Sequence, residues 1–141
     1  MSYDTIDKLQ KELDKNGVGK FIVISNNGYN LTLAGSFDIY YYHEIEITFE
    51  DIDFVSCPGG VFYINKFRKA TDEEILELAN HIKGYAKRGF VVCMENRHNE
   101  KFFVVAHGIN YKWVTEYYYK RENLQTNEKI AKWVLEEQSE G

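Results

Sequence analysis

The stretch Phe37-Asp-Ile-Tyr-Tyr-Tyr-His-Glu-Ile-Glu-Ile-Thr-Phe49 alternates without a break. Phe37, Ile39, Tyr41, His43, Ile45, Ile47 and Phe49 share one parity. Asp38, Tyr40, Tyr42, Glu44, Glu46 and Thr48 share the other. Successive side chains of a strand point to opposite faces, so this period predicts a long strand with one face buried. It exceeds the usual strand length, and a bend or bulge is expected near Tyr42-His43.

Working outward, Glu50-Asp51 reads as a turn or bulge, and Ile52 to Cys57 as another strand. Pro58-Gly59-Gly60 ends it, and Val61 to Ile64 makes a short strand. Upstream, Phe21 to Ile24 is apolar at every position, as a strand covered on both faces would be. Asn27-Gly28 is a hairpin signal that returns the chain through Tyr29 to Ala34, and Gly35-Ser36 is a second turn. Residues 3–16 form a helix with Ile6, Leu9 and Leu13 on one stripe, stopped at Asn16-Gly17. Thr71-Asp72-Glu73-Glu74 is a capping box opening a second helix. Ile75, Leu78, Ala79, Ile82 and Ala86 form its core stripe, Lys83, Lys87 and Arg88 suit its C-terminal end, and Gly89 stops it. Three strands follow, Phe90 to Glu95, Lys101 to His107 and Tyr111 to Tyr119. Thr126 then caps a last helix, from about Asn127 to Glu137, with Ile130, Trp133 and Val134 inward. Short turns between strands imply a mainly antiparallel, strongly bent sheet of seven or eight strands with three helices around it, an α+β domain spanning residues 1–141.

The chain has 141 residues, 44% hydrophobic and 16% aromatic with one proline, which excludes a disordered class. No apolar run approaches the roughly 20 residues of a membrane helix, and the polar N-terminus does not read as a signal peptide. Cys57 and Cys93 sit in apolar surroundings outside any C-x-x-C pair, which fits free thiols in a reducing cytoplasm. Four histidines, His43, His81, His98 and His107, make no metal-ligand spacing. On a strand, His43 points away from Glu44 and Glu46, so neither a metal nor a cofactor is expected. The sequence contains no nucleophile elbow. The glycines of Asn16-Gly-Val-Gly-Lys-Phe21 precede a strand rather than a helix, unlike a phosphate loop.

The net charge of −5 argues against a general nucleic-acid binder. It has an address. Residues 21–65 hold Asp38, Glu44, Glu46, Glu50, Asp51 and Asp53 and no Lys or Arg. The expected strand places Tyr40, Tyr42, Glu44 and Glu46 in one row, a pattern suited to a basic protein partner. Helices covering that face would remove this reading. The run Tyr117-Tyr118-Tyr119, with Trp113, reads as core packing or as an aromatic platform.

The segment HEIEITFEDIDFVSCPGGVF and the following FRKATDEE, within Tyr42 to Glu74, resembles small uncharacterised bacterial domains. Some of these are regarded as immunity proteins of toxin systems. The resemblance spans about a quarter of the chain, with no residue carried over. The base-free acidic block with its tyrosines suggests a non-catalytic binding protein, such as an immunity protein that masks a basic toxin surface. Two other classes stay open. One is a ligand-binding or enzymatic domain whose sheet curls around Tyr41, His43 and Trp113. The other is a homo-oligomer paired through a strand edge.

Overall fold

Helix α1 (Asp4–Asn16) buries Ile6, Leu9 and Leu13 and ends at Gly17, whose φ of 66° is the left-handed stop expected of it. This computed structural model describes residues 3–81 and 89–139. After α1 come β1 (Lys20–Asn26), β2 (Leu31–Ser36), β3 (Tyr42–Val55), β4 (Phe62–Tyr63), β5 (Lys66–Lys69) and α2 (Asp72–His81). Then follow β6 (Phe90–Glu95), β7 (Lys101–Tyr117), β8 (Glu128–Ile130) and α3 (Lys132–Ser139). The strands form one curled sheet in the order β4-β1-β2-β3-β7-β6-β5, a half-barrel with antiparallel neighbours. β8 adds to β7 in parallel beyond the end of β6.

The curl is drawn together where β4 passes into β5. Ile64 N–H donates to the Gly19 carbonyl beside β1, and the next residue, Asn65, donates to the Glu95 carbonyl of β6. One short segment thus ties β1 to β6. Phe21 meets Phe62 and Phe67 across this seam at ring separations of 6.4 and 5.4 Å.

α1 lies inside the curl against Leu33, Ile45, Ile47, Phe49, Met94 and Val104. α2 packs on the opposite face, where Leu78 meets Val91, Cys93 and Val105. β6 is therefore apolar at successive residues because a helix covers each side of it. β1 was the strand expected to be covered on both faces. Its Ile24 is exposed instead.

Several boundaries differ from the sequence expectation. Phe37 to Tyr41 form a turn rather than the start of β3. Gly35-Ser36 stays within β2. A Cβ at Gly35 would lie 2.5 Å from the Phe21 ring, so this glycine serves close packing. Glu50-Asp51 stays within the strand, in register with β7, and the bulge falls at Asp53. Asp51 takes φ 52°, the pairing slips between Ile52 and Phe54, and β3 runs on to Val55. β7 likewise passes through Gly108 to Asn110, because each pairs in turn with Glu50, Phe49 and Thr48. The strand β5 was missed. So was β8, which takes Ile130 out of the expected last helix, while Trp133 is 51% exposed. Gly89 lies where a Cβ would stand 2.7 Å from the Ala106 carbonyl oxygen, so backbone approach accounts for it. The expected roles of Ile82, Lys83, Ala86, Lys87 and Arg88 fall outside the described residues.

The capping box forms as read. Glu74 N–H donates to Thr71 Oγ1 at 3.2 Å, and Thr71 N–H to Glu74 Oε1 at 2.8 Å. Both cysteines are free and belong to opposite faces of the sheet. Burial pushes each thiol up to about 11, so neither is a thiolate at neutral pH.

Candidate functional site

The turn between β2 and β3 is built by Asp38. Its carbonyl accepts Tyr41 and Tyr42 N–H, and its carboxylate faces Tyr40 N–H. Ser36 Oγ accepts Asp38 N–H at 2.9 Å. Ile39 is buried and anchors the turn, while Phe37, Tyr40 and Tyr41 stand 68%, 70% and 60% exposed around it. Short polar side chains hold the backbone here, so helix-like bonds replace the extended conformation that the alternation predicts. Tyr118 N–H donates to the Tyr41 carbonyl and fixes the turn to the end of β7.

Immediately after the turn, the pairing of β3 with β7 slips between His43 and Ile45. This is the bend expected near Tyr42-His43, and it divides the row of four. Tyr42 pairs with Tyr117, their rings 6.1 Å apart. Tyr42 lies within the influence of Glu44, Asp38 and Tyr119. Burial, then the Glu44 charge, pushes the Tyr42 hydroxyl up; burial also pushes Glu44 up, against the Tyr42 hydrogen bond. Tyr40, Tyr42 and Glu44 thus stay at one end of the sheet with Asp38 and Tyr119.

Glu46 leaves that group. Its Oε2 lies 2.9 Å from His43 Nε2, and its Oε1 lies 3.6 Å from Lys112 Nζ. The expectation that His43 and Glu46 point apart is overturned: their side chains meet beside the slip, where β7 carries one more residue than β3. His43 is 1% exposed. Its Nε2 lies 2.9 Å from Glu46 and its Nδ1 2.6 Å from the Tyr118 hydroxyl, so both ring nitrogens are hydrogen-bonded. Burial, then the charges of Glu116 and Glu46, pushes Tyr118 up to about 12 and keeps its hydroxyl protonated. Burial pushes Glu46 up, but the His43 hydrogen bond and the charges of His43, Lys112 and Lys129 hold it below the usual carboxylate range.

The proposed pocket of Tyr41, His43 and Trp113 does not assemble. Tyr41 is exposed in the turn, and His43 is enclosed by Glu46 and Tyr118. Trp113 faces the inside of the curl and donates Nε1–H to Glu12 of α1 at 3.1 Å. The Tyr111 hydroxyl donates to the same carboxylate, and burial with Glu12 pushes it up to about 12. Tyr117 is buried with its hydroxyl on Glu128 at 2.6 Å, Tyr118 faces Trp133, and Tyr119 is exposed. The three tyrosines therefore form no flat platform with Trp113.

The base-free block is answered from β7. Asp53 pairs with His107 at 2.9 Å, Glu50 accepts from Asn110, and Glu46 pairs with Lys112. Asp38 and Glu44 form no ion pair among the described residues. Sequence reading missed Phe37 and Asp38 as site residues. The available signal was Ser36-x-Asp38, which favours a capped turn over strand.

The chain matches no family model, no curated protein and no solved structure. No described helix is long and apolar enough to cross a membrane.

Proposed function

We propose that this chain is a non-catalytic binding protein whose β2–β3 turn engages a basic protein surface, as an immunity protein masks its toxin. The carrying observation is the turn itself: three exposed aromatics on a backbone already ordered by Asp38 and anchored by Ile39. Preordered rings supply contact area with little entropy lost on binding. Asp38, Glu44 and the partly exposed Tyr42 border them, and the free carboxylates select for cations. Glu46 has no part in this surface, since Lys112 and His43 already answer it.

The test is parallel affinity capture from the native host with wild type and a Tyr40→Ala/Tyr41→Ala variant. Both rings are exposed, so the variant keeps its fold. The expected result is a protein with a basic contact surface, retained by wild type and weakened at least about tenfold by the variant. Equal capture of the same proteins by both baits would sink the proposal.

A further inference from the structure

A second feature lies at the other side of the turn, where the half-barrel is tied. A cleft of about 460 Å³ opens over the β4–β5 seam, within the size range of small-molecule sites. Lys20, Arg97 and His98 line it together with the rings of Phe37 and Tyr63, and no carboxylate does. Tyr63 is 56% exposed. Lys20 follows the Gly17-Val-Gly19 segment, which also lines the cleft.

The loop that carries Arg97 and His98 is held ready. Asn96 Oδ1 accepts the N–H groups of His98 and Glu100, and its amide donates to Glu100, so the β6–β7 loop is fixed with Arg97 and His98 on it. Asn99 completes that loop at φ 62°. The floor is fixed too, because Gln10 donates to the Asn65 carbonyl at 3.0 Å and accepts Phe67 N–H at 2.6 Å. Among the described residues the side chains of Lys20, Arg97 and His98 have no ion-pair or hydrogen-bond partner. Glu100 of the same loop is bound to Asn96, and two further acids line an adjoining cleft. Asp14 there accepts from Gln10, and Glu95 is bound to Arg68.

Lys20 and Arg97 have no counter-charge of their own in a protein of net charge −5, and so offer an anion two unanswered charges, with a His98 ring beside them. Exposed rings beside them offer faces to a planar group. The Asn65 side chain, with both a donor and an acceptor, has no protein partner. We infer that this cleft binds a mononucleotide, with its phosphate on Lys20, Arg97 and His98 and its base between Phe37 and Tyr63. The absence of a helix N-terminus removes a phosphate loop, but side-chain cations recognise phosphate without one.

Calorimetric titration with AMP, adenosine and inorganic phosphate tests this at low ionic strength. AMP is expected to bind saturably, with adenosine and phosphate each at least about tenfold weaker. Lys20→Glu and Arg97→Glu should each weaken AMP at least about tenfold, and Tyr63→Ala should weaken AMP but not phosphate. AMP should shift the His98 imidazole resonances and leave those of His107 unmoved. These variants leave Tyr40, Tyr41 and the shared Phe37 intact, so a failure of AMP binding is distinguishable from a failure of partner capture. No saturable binding of AMP at millimolar concentration overturns the inference. So does equal affinity of wild type and both charge variants, or tighter binding of an acidic peptide than of AMP.

Discussion

Arg68 carries two carboxylates on one guanidinium. Nη1 and Nη2 reach Glu74 at 2.7 and 3.0 Å, and Nε and Nη2 reach Glu95 at 3.2 and 3.3 Å. Lys101 adds a contact to Glu74 at 3.2 Å. Glu74 is buried, and it is also the capping residue of α2. The Arg68 hydrogen bonds, against the opposing effect of burial, hold its carboxyl well below the usual carboxylate range; Thr71 and Lys101 assist. Such a depressed group confers stability that is whole above the unfolded value of about 4.3 and is lost as pH falls below it. Arg68→Ala leaves Glu74 buried without its main partner and is expected to destabilise the fold by about 3 kcal/mol near pH 7. The gap between wild type and variant should narrow by about pH 3, where Glu74 no longer needs a charge partner. Urea unfolding at both values checks this, and a gap that widens in acid would refute the assignment. The capping box was plain in the sequence, because its spacing is local. Arg68 was not, since β5 is short and its partners come from α2 and β6.

At the scale of elements, period two identified β3 and its buried row from His43 to Phe49, but it did not locate the faces. At the slip between His43 and Ile45, β7 carries one residue more than β3, which the sequence of β3 alone does not show. His43 meets Glu46 beside it, though the sequence sets them at opposite parity. The acidic, tyrosine-bearing row was half legible for the same reason. Tyr42 precedes the slip, Glu44 lies at it, and Glu46 follows it. Gly35 shows the complementary error, since a glycine after a strand reads as a turn when packing is invisible. A Cβ there would stand 2.5 Å from Phe21 Cε1 and 2.9 Å from Ile45 Cγ2. Gly35→Ala should therefore lower stability by about 1–3 kcal/mol through overpacking. Phe21→Leu in the same chain should recover part of that loss, because the two side chains compete for one space. A double-mutant cycle in urea measures the coupling, and strictly additive effects would place the strain elsewhere.

For the whole molecule, the order of helices and strands gave the α+β class, because apolar periodicity and caps are properties of short segments. The curl came from contacts the sequence does not write down. These are the seam at Ile64 and Asn65, the extended β3–β7 pair, and α1 inside. α1 is joined to the far side of the sheet by Glu12, which receives Trp113 Nε1–H and the Tyr111 hydroxyl. Its Leu9 is fully buried in the cluster that includes Phe21, Phe49 and Met94. The helix is thus an interior element of the half-barrel. Folding of helix and sheet should then be one transition. In a Trp133→Phe background, Trp113 fluorescence reports the α1–β7 contact and far-ultraviolet dichroism reports the whole backbone. The two unfolding curves are expected to coincide. Leu9→Ala should move both midpoints together, with a loss of about 2–5 kcal/mol from the cavity it leaves. That is a large part of the roughly 5–15 kcal/mol that holds a typical domain. Fluorescence that changes at lower urea than dichroism would mean that α1 leaves an intact sheet. The half-barrel would then stand without its central helix, contrary to the packing seen here.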